Sequence, residues 1–421
     1  MDTLVLDEPA PEDNSISGIE YFPFNPITGT QYNNPGVIQI NIENTNDVFF
    51  PRRSWLQIEG QLLKDDATVY DKDDFCTLIN NGIMYCFSNI KYLLNGTEIE
   101  SLNHPGHATT MLGMLKYERS YSGLIQCWAP DTITTATAGN NGYVKRRNFI
   151  FSSNPVGTFS FGIDLEHIFG FGEDYDKVIM GFRHSLQFSR MADDNNAIFR
   201  AHNSAGKVVL SKITWWMPIV EPAELEKNKI VNIIQKESTI QSWFRMRQCA
   251  MVSVPTVSSY TWNLGVRTGS ERPRYVIVGL QGGKQNSQEQ NPAIFDSTRV
   301  ESMKIRLNNT EYPSIHSNSN FTTNNFAIFY MQMARFNQSF YQLDRMLAST
   351  SINADEYKSL FPLFVFDVSK QGTRLSGGVV DISVIMNFAA NAPQNTVAFA
   401  LVISDRKIKF QGNGQKMNVI F

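Results

Sequence analysis

The chain has 421 residues, a hydrophobic fraction of 42% and a formal net charge of −3. That length exceeds one ordinary core and suits two domains of about 200 residues each, while the apolar content excludes a disordered chain. Without a lysine- or arginine-rich tail, the near-neutral balance excludes a protein that works mainly by neutralising the phosphates of a duplex, so no sequence-specific nucleic-acid binding is expected.

The first twenty residues, MDTLVLDEPAPEDNSISGIE, carry six acids and no base, the opposite of an export or transit signal. Together with the next fourteen residues they read as an acidic arm over residues 1–34, ahead of a first strand near Pro35. Strand patterns then dominate. VIQINIEN places Ile38, Ile40 and Ile42 on one face, and SWLQIEGQLL does the same with Leu56, Ile58 and Leu62. TFSFGIDLE alternates Phe159, Phe161, Ile163 and Leu165 against Ser160, Gly162, Asp164 and Glu166. Period-two alternation means one face on a core. RYVIVGLQ (274–281) and FPLFVFDV (361–368) are apolar throughout and read as strands buried on both sides. VDISVIMNF turns Val380, Ile382, Val384, Met386 and Phe388 inward. Turn clusters such as NPITGTQYNNPG, TATAGNNG and NAPQN separate these runs, which predicts antiparallel sandwiches instead of alternating strands and helices.

Helical pattern is sparse. HATTMLGMLKYERSY (107–121) groups Met111, Met114 and Leu115. PAELEKNKIVNIIQK (222–236) opens on proline with acids in its first turn and reads as a connector over residues 221–240. Between Asn325 and Ser349, Phe326, Phe329, Tyr330, Met333, Phe340, Leu343 and Leu347 recur at helical steps, with a break near Asn337.

One phrase is written twice. IKYLLNGTEIES begins at Ile90 and MKIRLNNTEYPS at Met303, 213 residues on, about half the chain length. They share Lys91/Lys304, Leu94/Leu307, Asn95/Asn308, Thr97/Thr310, Glu98/Glu311 and Ser101/Ser314. Each copy is followed by a helical segment, so the repetition covers strand, turn, loop and helix. A duplicated β domain is the simplest account.

Motifs that could carry chemistry are few. The six histidines are His104, His107, His167, His184, His202 and His316. HPGH (104–107) reads as a turn because no Cys or acid completes a ligand set beside it. GLQGGKQ (279–285) lacks the leading glycine and the closing Ser/Thr of a phosphate loop and reads as a hairpin loop. In FGFGEDYD (169–176) the glycines are given a conformational role. Asp193–Asp194 and the basic clusters Arg52–Arg53, Lys145–Arg146–Arg147 and Arg272 with Arg274 read as solvated loop charge. Cys76, Cys86, Cys127 and Cys249 form no CxxC pair and read as reduced thiols of a cytosolic or nuclear setting. The Asn-x-Ser/Thr sites at Asn95, Asn308, Asn320 and Asn337 are expected to be unused, and no apolar run is long enough to span a membrane. No catalytic residue, metal site or cofactor is expected.

Several strings resemble a known family. DLEHIFGFGEDYDKVIMGFRHSLQFSR, DDNNAIFRA and KITWWMPIVEPAE resemble the first domain of double jelly-roll major capsid proteins. SYTWNLGVRTGSERPRYVIVGLQ, NPAIFDSTRVESMKIRLNNTEYPS, FVFDVSKQG and NTVAFALVISDRKIKF resemble the second. The nearest group is the Polinton/Maverick and adintovirus-like capsid proteins of the PRD1–adenovirus lineage. The resemblance implies an all-β chain of two tandem eight-stranded antiparallel jelly rolls, over residues 35–220 and 241–421. It also implies a homotrimer with six similar barrels, tiling an icosahedral virion shell with penton and minor capsid proteins and an internal membrane as further partners. Synthesis would be in the host cytoplasm. Trp215, Trp216, Trp262, Arg267 and Arg272 are then candidate intersubunit contacts, though the tryptophans equally suit barrel ends. The acidic arm would order against a neighbouring subunit, a minor capsid protein or the membrane. Two competing readings are a soluble ligand- or carbohydrate-binding double β-sandwich and a hydrolase on tandem jelly rolls. The second needs convergent acids in a cleft, which the sequence does not single out.

Overall fold

In the computed structural model, which describes residues 15–27, 32–71, 73–121, 123–201, 204–236, 238–265, 271–314, 318–343, 350–372, 379–414 and 416–421, both halves of the chain repeat one strand order. The first half supplies β1 (Ile16–Phe24), β2 (Gly36–Ile42), β3 (Trp55–Lys64), β4 (Phe87–Leu94), β5 (Thr97–Asn103), β6 (Thr158–Asp164), β7 (His184–Arg190) and β8 (Gly206–Pro222). The second supplies β9 (Thr239–Val254), β10 (Ser259–Asn263), β11 (Arg272–Gly282), β12 (Val300–Leu307), β13 (Thr310–Tyr312), β14 (Phe364–Asp367), β15 (Ile382–Phe388) and β16 (Thr396–Gly412). The first roll faces a sheet ordered β1-β8-β3-β6 against one ordered β2-β7-β4-β5. The second does the same with β9-β16-β11-β14 and β10-β15-β12-β13. Adding eight to each label of the first roll gives the second, and every pairing is antiparallel. Two eight-stranded jelly rolls in tandem are therefore present, as the sequence implied.

The alternation read from sequence fills the space between the sheets of each roll. Ile38, Ile40, Ile42, Leu56, Ile58 and Leu62 are buried on the first side, and Val380, Ile382, Val384, Met386 and Phe388 on the second. The apolar runs are buried on both faces: Tyr275 through Gln281 and Leu363 through Phe366 expose almost nothing. Buried side chains form one continuous cluster through both rolls, so the core does not stop at the domain boundary.

Among the described residues the connections carry α1 (Gly82–Tyr85), α2 (Pro105–Lys116), α3 (Asn141–Phe151), α4 (Leu165–Ile168), α5 (Gly170–Asp174), α6 (Glu224–Gln235), α7 (Ala327–Ala334), α8 (Phe336–Tyr341) and α9 (Ala354–Ser359). The predicted connector helix is α6, and the long helix expected from Asn325 breaks at Arg335 into α7 and α8. Leu347 lies outside the described residues, as do Arg267, His202, His316 and residues 1–14 of the arm.

Four expectations change. Residues 16–24, read as part of the arm, form β1, and their alternation is illegible because an edge strand left open is exposed on both faces. HPGH is the start of a helix: His104 takes a left-handed φ of 47° and Pro105 opens α2. GLQGGKQ is no hairpin loop, because β11 leads to a strand of the opposite sheet. Some loop charge is not solvated. Arg146 is 1% exposed, paired with Asp131 at 2.8 Å, and Asp194 is buried against Arg190 at 2.6 Å. A short separation in sequence from solvated neighbours hid both pairs.

The written repeat is a hairpin that performs one task twice. Asn95 and Asn308 turn β4 into β5 and β12 into β13 with φ of 49° and 51°, a conformation asparagine tolerates better than other side chains. Asn95 Oδ1 accepts from the N–H of Arg183 at 2.8 Å, and Asn308 Oδ1 from that of Asp381 at 2.9 Å. Arg183 and Asp381 each precede the seventh strand of their roll, so both tips are tied to the next strand of the sheet. Lys91–Glu98 (2.9 Å) and Lys304–Glu311 (3.2 Å) bridge the two hairpins identically, while Leu94 and Leu307 point inward. Asn308→Ala forces alanine into the left-handed region and removes the bond to Asp381, which should lower stability by about 2 kcal/mol. Asn308→Gly should lose about half of that. Denaturant midpoints compare the two, and equal losses would refute the conformational part of the account.

Candidate functional site at the seam between the rolls

An edge strand leaves every second N–H without a partner, and β9 is the edge strand of the second roll that faces the first. Its outward amides at Arg245 and Arg247 are bonded by carboxylates of the first roll. Asp174 Oδ2, at the end of α5, accepts from the N–H of Arg245 at 2.7 Å, and Glu100 Oε1, on β5, from that of Arg247 at 2.8 Å. Glu100 is fully buried and also accepts from the N–H groups of Gly170 (3.1 Å) and Phe171 (2.9 Å). One carboxylate thus holds β5, the start of α5 and the edge of β9 together. FGFGEDYD supplies the fit, because a Cβ on Gly170 would lie 1.8 Å from the Arg245 carbonyl oxygen. Only glycine lets the two backbones come this close.

The side chains continue the join. Arg247, 2% exposed, donates to the His167 carbonyl at 2.8 Å and to Glu173 at 2.5 Å. Glu173 also takes Lys116 Nζ at 2.9 Å and the hydroxyl of Tyr341 at 2.8 Å, so residues of both rolls share its charge. Arg245 pairs with Asp174, donates to the Phe340 carbonyl at 2.9 Å and lies 3.8 Å from the centre of the Phe340 ring. Arg406 Nη1 donates to the Ile99 carbonyl at 2.6 Å. Further along, His107 stacks on Phe399 at 3.7 Å and Asn291 donates to Asp131 at 2.9 Å. Burial opposes the charge of Glu173, but Arg247 and Lys116 outweigh it and hold the carboxyl down at about 2. Burial prevails at Glu100, whose carboxyl rises to about 7 against the pull of Arg247 and its three N–H donors. Burial, then Lys116 and Arg247, push His167 down to about 3, so it is neutral.

No group of His, Cys, Asp and Glu among the described residues is arranged to hold a metal ion. At the seam the geometry joins two sheets edge to side. Comparison with known proteins agrees with that architecture. A family described as Double jelly roll-like domain matches residues 76–408, which is more than half of the chain.

The chain belongs to the double jelly roll-like domain family.

No curated protein sequence matches it. Among solved structures, the Sputnik virophage by cryo-EM gives a TM-score of 0.59 at 11% identity, covering 100% of this chain and 91% of that one. The PBCV-1 virus capsid gives 0.58 at 10%, over 98% and 99%. The Faustovirus major capsid protein gives 0.55 at 8%, over 98% and 93%. At these identities the likeness is one of fold.

Within this double jelly roll the sequence candidates do not converge. Trp215 is fully buried in the first roll, 6.2 Å from the ring of Tyr92, and Trp262 is 6% exposed in the second, opposite Val384. Trp216 is half-buried on the outer face, stacked 5.7 Å from Trp55, with its N–H donated to Gln57 at 2.8 Å. Arg272 opens β11 opposite Asp405. Glu100, Glu173, Asp174, Arg245 and Arg247 were missed. The available signal was Glu100 itself, since its counterpart in the second copy of the repeat is Pro313.

Two outcomes test the seam. Arg247→Met leaves Glu173 and Glu100 buried beside one cation fewer and should cost about 3–5 kcal/mol by denaturant unfolding. A loss under about 1 kcal/mol would contradict the network. Glu100 has a raised pKa, so its penalty on the fold is small below about 4.5 and grows as pH rises through 7. Relative to the parent, Glu100→Gln should therefore gain roughly 2 kcal/mol between pH 5 and pH 8. A constant difference would show that Glu100 does not titrate there. Glu173 acts in the opposite sense, its contribution being lost as pH falls from 4.5 toward 2.

Proposed function

We propose that this chain is the major capsid protein of an icosahedral double-stranded DNA virus of the Polinton/Maverick and adintovirus-like group, three copies of which form one pseudo-hexagonal capsomer. The observation that carries the proposal is the repetition of strand order in two rolls locked side by side by buried ion pairs and edge-capping carboxylates. A rigid pair of like barrels has a direct use in a shell. Three pairs present six near-equivalent sides with only three-fold symmetry, and six sides tile a lattice. The fold likeness to the PBCV-1 capsid and the Faustovirus major capsid protein supports this use.

On this reading the protein acts by assembly and not by catalysis, and its place is the virion. Penton and minor capsid proteins, and a membrane beneath the shell, are the further partners. Exposed apolar side chains are concentrated on strands as well as loops, including Tyr21, Phe22, Trp243 and Met251, which suits a surface made to be covered. Light scattering of the purified protein should give three times the 47.7 kDa of one chain, and negative-stain images should show six-sided particles. A monomer at high concentration would contradict the capsomer and favour a ligand-binding double sandwich.

A further inference from the structure

Away from Glu100, the two rolls also meet through a run of side-chain amides that ends on a histidine. Gln281, near the end of β11, donates Nε2 to the carbonyls of Pro292 (2.5 Å) and Ile294 (3.3 Å). Those carbonyls fix the amide, so its Oε1 is an acceptor, and it takes Nε2 of Gln285 at 2.5 Å. The other side of Gln285 is fixed from the first roll. Asn196 Oδ1 accepts from the N–H of Asn286 at 2.7 Å, which leaves Asn196 Nδ2 to donate to Gln285 Oε1 at 3.1 Å. Backbone groups at both ends therefore make Gln285 Nε2 a donor where it meets His107 Nε2 at 3.1 Å.

His107 stands on α2 of the first roll and is buried. A donor facing Nε2 needs a lone pair there, so the imidazole is neutral and carries its proton on Nδ1. The ring lies flat on Phe399 of β16, 3.7 Å away. A proton on Nε2 would turn the acceptor into a donor and set a buried charge against the N–H of Gln285.

The groups around the ring give a cation no support. Tyr85 of α1 stands edge-on at 4.7 Å, and His104 shares the Phe399 ring with it at 5.9 Å. Burial holds the Tyr85 hydroxyl, and the Cys249 thiol beside that, above their ordinary ranges, so both stay neutral. On the second roll, Gln281, Gln285 and Phe399 are uncharged. Among the described residues no carboxylate pairs with His107, and burial, then His104, hold it well below the ordinary imidazole range.

We infer that His107 is a proton-sensitive latch between the rolls: neutral, it accepts from Gln285 and holds the loop after β11 against the first roll, and protonated in mild acid it lets that loop go. The inference concerns one chain and does not rest on the assembly reading. Other ties of the same loop report on its release. The Asn286 N–H is bonded to Asn196, and the Gln288 carbonyl accepts from the N–H of Arg200 at 2.8 Å. A histidine kept neutral by the fold contributes stability above about pH 6.5, and that stability is lost as pH falls below it.

His107→Gln keeps an acceptor at this place but takes up no proton. Relative to that variant, the folding equilibrium of the parent, read by denaturant unfolding, should fall about 25-fold between pH 7 and pH 5. His167, His184 and Glu100 titrate alike in both proteins and cancel in the comparison. Over the same interval, hydrogen exchange at the amides of Asn286 and Arg200, corrected for the intrinsic rate, should lose protection in the parent alone. A difference that does not change with pH, or protection that the parent keeps at pH 5, would overturn the latch. Should the variant not fold, nitrogen NMR of labelled histidine rings in the parent decides the matter. A neutral His107 ring with its proton on Nδ1 at pH 7 upholds the latch, and an imidazolium or a proton on Nε2 overturns it.

Discussion

The unpaired N–H groups along the edge of β9 are the constraint around which the two rolls are arranged. An edge left in a low-dielectric join without acceptors costs about 1–3 kcal/mol for each buried group. Here Asp174 and Glu100 supply those acceptors from the first roll. Because Glu100 also holds the start of α5, the edge of one roll and a helix of the other share one fixed point. Arg247, Glu173 and Lys116 then balance the buried charge. A join of this kind has little freedom to slide, since moving either roll leaves charged groups without partners.

That rigidity gives the duplication its meaning. Two barrels on a flexible tether would offer six sides in a trimer but no fixed angle between them. With the seam set, the angle between the rolls is a property of the chain. The two outer edge strands, β1 and β9, differ in chemistry. The internal join uses arginines and carboxylates, while the open edge carries Tyr21, Phe22 and Pro23. Proline also keeps that edge from pairing indiscriminately with other strands, because it breaks the row of donors.

Much of this was legible in the sequence where one physical rule acted alone. Period-two alternation found the core faces of β2, β3, β6 and β15, and continuous apolar runs found the doubly buried β11 and β14. The repeat around Asn95 and Asn308 marked a duplicated hairpin because the left-handed turn, the cross-strand Lys–Glu pair and the inward leucine are local to twelve residues. The seam was not legible because its partners lie far apart, as Glu100 and Arg247 do, and because glutamate and arginine on strands ordinarily face water. β1 was missed for a related reason: an edge exposed on both faces has no alternation to read. Trp215 drew notice by its type, yet a large ring is as useful inside a barrel as on its surface, and the structure places it inside. The departures from the repeat, Glu100 against Pro313, held the information that the matches did not.

The most direct test of the seam is hydrogen–deuterium exchange read residue by residue at the amides of Arg245 and Arg247. As edge-strand positions they would exchange fast if the rolls merely touched. Capping by Asp174 and Glu100 predicts exchange as slow as in the paired centre of β11, and faster at Arg247 once Glu100 is replaced by alanine. Fast exchange at both amides in the intact protein would contradict the account, because the two rolls would then be neighbours without being joined.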